Sequence, residues 1–204
     1  MYTLLIYFLT NLLLISPLKS SQQENKLRPS ITFILGEDEK NKNPYYSLAN
    51  QYYLYHPDHK NNIFIDTCRS LVALRNHLAN NLPENATAWG EITVVVHSNQ
   101  WTGMSVPVVT GGERTTVHSL FESIQNQQFV ALPNTILDAQ TVIDFKACGL
   151  GSNTDLLQAL ATAFGGFDKV QPRVQSSKHF IYYAQDKHQP VSYTHLTLPT
   201  ICSV

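Results

Sequence analysis

Charge is scarce in this chain. Of 204 residues, 14 are Lys or Arg and 15 are Asp or Glu, nearly balanced and with no basic cluster. Nucleic acids and anionic membrane surfaces recruit proteins through concentrated positive charge, so neither is an expected partner. Cysteine is equally sparse, at Cys68, Cys148 and Cys202. The glycine-rich GLGSN at 149–153 lacks the Lys-Ser/Thr of a phosphate-binding loop and completes no dinucleotide fingerprint. Gly-x-Ser-x-Gly is absent as well, which disfavours a serine hydrolase of the α/β class. No internal repeat or low-complexity segment occurs.

Both ends stand apart from the rest. Residues 1–20 hold an almost uncharged apolar run over 4–15, then Ser16-Pro17 and the small-residue site at Ser20. That run is too short for a confident transmembrane helix and reads as an export signal cleaved near Ser20. The stretch before it lacks Lys and Arg, which leaves an uncleaved anchor open. A polar linker follows over 21–29. At the other end, VSYTHLTLPTICSV at 191–204 resembles a translated sequencing-adapter peptide, so 190–204 is read as a non-native tail and excluded from the fold, the alternative being an ordinary frayed terminus. On that reading His195 and Cys202 carry no chemistry. The remainder, 30–189, is one domain with length enough for its own core.

Short apolar runs alternate with helical spacings along that domain. ITFIL at 31–35, NIFID at 62–66, EITVVVH at 91–97, TVIDFKA at 141–147 and HFIYY at 179–183 predict five strands. Three consecutive valines in the third suit a strand covered on both faces. A Tyr-rich patch at 46–55 reads as helical, Leu71, Leu74, Leu78 and Leu82 form a helix stripe ended by Pro83, and 117–124 and 155–164 add two more helices. Residues 101–116 predict a loop or hairpin turning at Gly111-Gly112. The alternation implies an α/β domain, a mostly parallel sheet with helices on both faces.

Two of the runs end in reactive side chains. VVVHSN delivers His97 before Ser98 and Asn99, and IDFKACGLGSN delivers Cys148 before Gly149 and a helix start. In a parallel sheet both would stand at the carboxyl edge, where polar loops gather around ligands. A thiol and an imidazole together there suit nucleophilic catalysis. Amide donors and the helix dipole ahead of Cys148 would favour a thiolate. The bland alternatives are an inert buried thiol, a Cys68–Cys148 disulfide, and a histidine that only caps its strand. Glu37 and Asp38 follow the first strand at the same edge and are candidate substrate-pocket acids, or simply solvated loop acids; Lys146, two residues before Cys148, argues for the opposite preference. His56, Asp58 and His59 lie close in sequence, but without a third cluster they do not make a metal site. Asn85-Ala86-Thr87 is a glycosylation sequon.

The order apolar run–His, then apolar run–Ala-Cys-Gly, after two strands and a helix, resembles the clan CD cysteine peptidases: caspases, metacaspases, gingipains and clostripain. The resemblance covers most of 31–183, with Ser98 standing where the family usually has Gly. It implies a caspase-like three-layer sandwich, truncated at its C-terminus. It also implies a cysteine peptidase, secreted if residues 1–20 are an export signal, with His97 as general acid/base, Cys148 as nucleophile and backbone amides at Ser98 and Gly149 as oxyanion donors. A peptide or protein would be the substrate, and no metal or organic cofactor is needed, although calcium dependence occurs among such peptidases. The other reading is a non-catalytic binding module of the same fold. The family's strand order places the first strand between the second and third and the fourth outside the third. Cys68 and Cys148 would then lie roughly 14 Å apart, beyond disulfide reach.

Overall fold

A computed structural model describes residues 27–40, 44–186 and 189–195. Residues 1–20, expected to be an export signal, residues 21–26 of the linker, and 196–204 with Cys202 lie outside the described residues. The elements run β1 (Ile31–Ile34), α1 (Tyr45–Tyr55), a 3-10 turn (Pro57–His59), β2 (Ile63–Ile65), α2 (Leu71–Asn80), β3 (Glu91–Val95) and the short strands β4 (Ser98–Asn99), β5 (Gly103–Pro107) and β6 (Arg114–Thr115). Then come α3 (Val117–Gln125), β7 (Val142–Lys146), a 3-10 turn (Leu150–Ser152), α4 (Thr154–Gly165), β8 (Arg173–Ser176), β9 (Phe180–Asp186) and β10 (Gln189–His195).

The central sheet has the order β2-β1-β3-β7-β8, and every neighbouring pair is parallel. The domain is therefore α/β. Ile31, Phe33, Ile92, Val94, Ile143 and Phe145 pack on one face with Leu71, Leu74 and Leu78 of α2, Leu120 of α3, and Leu156 and Leu160 of α4. On the other face Ile34 and Val95 meet Tyr45, Tyr46, Ala49 and Tyr53 of α1, with Ile181 and Tyr183 of β9. Alternate side chains of a strand point to opposite faces, so an uninterrupted apolar run is what a sheet covered twice requires. β1 accordingly has all four residues buried.

Local chemistry sets the helix ends. Ser70 accepts the Ala73 N–H to start α2, Thr116 and Ser119 form a capping box on α3, and Asn153 accepts the Leu156 N–H to start α4. α2 ends at Asn80, before Leu82, which packs on the core from beyond the helix. Below the sheet, Arg28 clamps the amino edge through Asp138 at 2.6 and 3.0 Å and the Trp89 carbonyl at 3.0 Å.

Two expectations are corrected. The fifth strand of the parallel sheet is β8, a largely polar run with Val174 alone on the core; residues 180–183 are a strand as expected, but they open β9, which pairs antiparallel with β10 in a separate ribbon. The aromatic run HFIYY carries strand propensity but serves the other layer, over α1. Strand pairing also continues past residue 189, because β10 reaches His195 and pairs with β9 throughout.

Candidate functional site

β3 and β7 pair from Glu91 with Val142 through Val95 with Lys146. The same register carried two residues further sets His97 opposite Cys148, at the carboxyl edge. The backbone there is still joined: Val96 N–H donates to the Lys146 carbonyl at 3.3 Å, and Ser98 Oγ donates to the Cys148 carbonyl at 2.8 Å. Adjacent parallel strands run about 4.8 Å apart, so the structure brings these two candidates together as neighbours. Cys68 follows β2, with β1 and β3 between β2 and β7, and both Cys68 and Cys148 are free thiols.

His97 rests on α1. Its backbone N–H donates to Tyr46 Oη at 2.9 Å, and its carbonyl accepts from the Ser105 N–H at 2.7 Å. The imidazole stacks on Tyr45, centroids 4.3 Å apart and planes 29° from parallel, while Tyr46 meets it edge-on at 4.7 Å. One side of the histidine remains exposed. Burial against the two phenols lowers the imidazole pKa below its ordinary value, and the nearby Asp38 carboxylate opposes that shift. Neutral imidazole is thus favoured at neutral pH, the form that can accept a proton.

Cys148 is half-buried under β9. Its thiol donates to the Ile181 carbonyl at 3.4 Å and its sulfur accepts the Ile181 N–H at 3.4 Å. Among the described residues no hydrogen bond joins the sulfur to the His97 ring. Burial pushes the thiol pKa up, and the Ile181 amide only partly offsets it. The expected thiolate is therefore corrected to a resting thiol. The physical reason lies in the intervening chain: a 3-10 turn separates Cys148 from α4, and Asn153 caps that helix itself.

The turn after Cys148 needs its glycine, since Gly149 sits in the left-handed region at φ +66°. Its N–H, an expected oxyanion donor, donates to the His179 carbonyl at 3.1 Å, and Gly151 N–H donates to the Ser177 carbonyl at 2.9 Å. The Ser98 hydroxyl is likewise committed, to Cys148. Residues 177–181 therefore lie along the whole Cys148 turn.

The candidate pocket residues go to separate partners. Glu37 pairs with Arg69 at 2.5 Å. Asp38 accepts the Tyr46 and Ser47 amides, both at 2.8 Å, and the Ser47 hydroxyl. Burial would raise the Asp38 pKa, but these bonds outweigh it and, with His97, lower it. Asp38 is thus the cap of α1, whose own N-cap position, Pro44, offers no side-chain acceptor. Lys146 pairs with Asp144 at 3.0 Å and lines a cleft of about 350 Å³ with Gln175, Ser176 and Ile181. A larger cleft of about 990 Å³, between residues 108–114 and α3, contains none of the candidates.

His56 takes the Asp58 N–H and His59 packs on Tyr52 and Tyr53; no metal-binding cluster of three or more His, Cys, Asp or Glu side chains occurs among the described residues. Asn85 is exposed in a turn. Sequence reasoning missed Tyr45, Tyr46 and Ile181 as site residues. For the tyrosines the only signal was the adjacent pair opening an aromatic-rich helix just after Asp38. Comparison with family models, curated proteins and solved structures found no match.

Proposed function

We propose that this chain is an exported cysteine peptidase of the clan CD type, in which Cys148 attacks a peptide carbonyl and His97 handles the proton. The observation that supports the reading is the β3–β7 register, which, continued two residues past Val95 and Lys146, sets His97 opposite Cys148. The near-balanced charge suits a peptide better than a nucleic acid.

The resting pair is neutral, so the chemistry runs by general base catalysis. As the sulfur–carbon bond forms, the thiol proton passes to the imidazole and the carbonyl π electrons move to oxygen. Backbone amides of the Ser98 and Cys148–Gly149 turns are the donors for that oxyanion, the Gly149 N–H once it is released from the His179 carbonyl. Collapse breaks the carbon–nitrogen bond, and the imidazolium gives its proton to the leaving amine. Water then hydrolyses the thioester with His97 again as base. Substrate must displace residues 179–181, which hold both the sulfur and the Gly149 N–H. No step calls on a metal or organic cofactor.

The Ile181 contact also favours a second reading, a non-catalytic binding module whose thiol is a buried strand-end group. Peptidyl chloromethyl ketones separate the two. A peptidase gains a covalent peptidyl adduct mapped by mass spectrometry to Cys148 and lost in His97→Ala. A binding module gains none, and that result sinks the peptidase.

A further inference from the structure

The two tyrosines that open α1 touch the candidate base from two directions. Successive helix residues diverge by about 100°, so Tyr45 and Tyr46 reach His97 by different routes. Tyr45 lies under the imidazole face at 4.3 Å, and Tyr46 covers its edge while its Oη takes the His97 N–H at 2.9 Å. Tyr45 is anchored in turn: its Oη donates to the Lys146 carbonyl at 3.0 Å, two residues ahead of Cys148. One phenol therefore spans both strands that deliver the candidate pair. Asp38 holds the turn that carries them through the Tyr46 and Ser47 amides. Gly36 leaves the room, since a Cβ there would come within 2.1 Å of the Tyr46 ring.

We propose that Tyr45 and Tyr46 are positioning residues for His97, fixing its ring plane and its backbone so that the imidazole meets the Cys148 thiol. The inference rests on the Cys–His hydrolase reading above. Rotation about the last bond of a histidine side chain is broad and weakly restrained by local sterics. A near-parallel phenol on one face and a second on the edge remove most of that freedom, and orientation of this kind governs rate strongly. The titratable groups around the ring are the Tyr45 and Tyr46 phenols of α1, the Asp38 carboxylate of the preceding loop and the Cys148 thiol of the neighbouring strand end. Tyr183 of β9 backs Tyr45, and Arg69 acts on Tyr46. Among them only Asp38 favours the imidazolium ion, and burial wins against it.

The test combines a spectroscopic and a kinetic readout. Proton resonances of the His97 ring are titrated by nuclear magnetic resonance in the full chain and in Tyr45→Leu, Tyr45→Phe and Tyr46→Phe. Hydrolysis of a pool of fluorogenic tetrapeptide amides is measured on the same proteins. Tyr45→Leu should lose the Tyr45 share of the ring-current shift of His97, move its titration upward, and lower kcat about tenfold or more with KM unchanged. Tyr45→Phe, which restores the ring, should recover most of that loss. Tyr46→Phe keeps the packing volume, so it answers even where Tyr45→Leu fails to fold; it should speed hydrogen exchange at the His97 amide and lower kcat several-fold. Ring shifts and amide exchange unchanged by the substitutions overturn the positioning role, as does wild-type kcat in a variant whose shift is lost. Wild-type protein that cleaves no peptide in the pool overturns the hydrolase reading and, with it, positioning for catalysis; cleavage indifferent to both tyrosines overturns the positioning alone.

Discussion

Ser98 Oγ donates a hydrogen bond to the Cys148 carbonyl at 2.8 Å, joining two strand ends just beyond the last pair of the β3–β7 ladder. It stands where the resembling peptidases carry Gly, so this chain has a side-chain tie that a glycine could not make. Ser98→Ala should cost about 0.5–1.5 kcal/mol of stability, the usual net worth of one hydrogen bond. It should also lower peptide hydrolysis by loosening the Cys148 turn. Urea unfolding beside an activity assay checks both, and unchanged values would show that the tie is incidental.

Asp38 caps a helix that begins several residues later in the chain. Asp38→Ala should therefore lose about 0.5–2 kcal/mol, the range for a removed helix cap. Asp38→Asn should lose less, because Asn also accepts amides. If α1 has no need of this cap, urea midpoints of the two variants will coincide with wild type.

The Cys148 thiol is pushed up by burial, so alkylation by iodoacetamide should be slow at neutral pH. The rate should climb with pH and still be rising above about 8.5, the ordinary thiol value. Fast labelling at pH 6, mapped to Cys148 by mass spectrometry, would show a stabilised thiolate that this environment does not explain.

Stability should fall in acid in two stages. Burial lowers the folded-state pKa of His59, His77 and His97, so the unfolded chain binds more protons below the ordinary imidazole value. That contribution is fully present above about pH 6.5 and is lost as pH falls through the folded values. Asp38 and Asp138 are also lowered, the latter chiefly by its Arg28 hydrogen bond, and their contribution goes below about pH 3.9. Urea midpoints measured from pH 8 to pH 3 check this, and a flat profile between pH 8 and pH 5 would contradict the histidine stage.

The inner strands β1 and β3 were legible because a doubly covered sheet demands apolar runs, β7 because Val142, Ile143 and Phe145 keep its run largely apolar, and the edge strand β2 as a short apolar run. The order β2-β1-β3-β7 is the one the family resemblance implied. β8 was not legible: at the sheet margin, Arg173–Ser176 has only Val174 packed on the core. Residues 179–183 misled because alternating aromatics suit any half-covered strand, whichever layer it joins. His97 and Cys148 were visible as strand-end residues. The raised pKa of Cys148 was not, since it comes from burial, with the Ile181 amide only partly offsetting it, and Ile181 reaches the thiol from a distant part of the chain. Nor was the role of Asp38, because a cap acting across a loop leaves no spacing signature.

The most direct measurement is turnover of the fluorogenic tetrapeptide pool by wild type, Cys148→Ala and His97→Ala at equal folded concentration. If Cys148 is the nucleophile and His97 its base, wild type cleaves the pool and each variant loses about 10³-fold or more in kcat. Wild type that releases no product, or variants that cleave as fast as wild type, would contradict the Cys–His hydrolase.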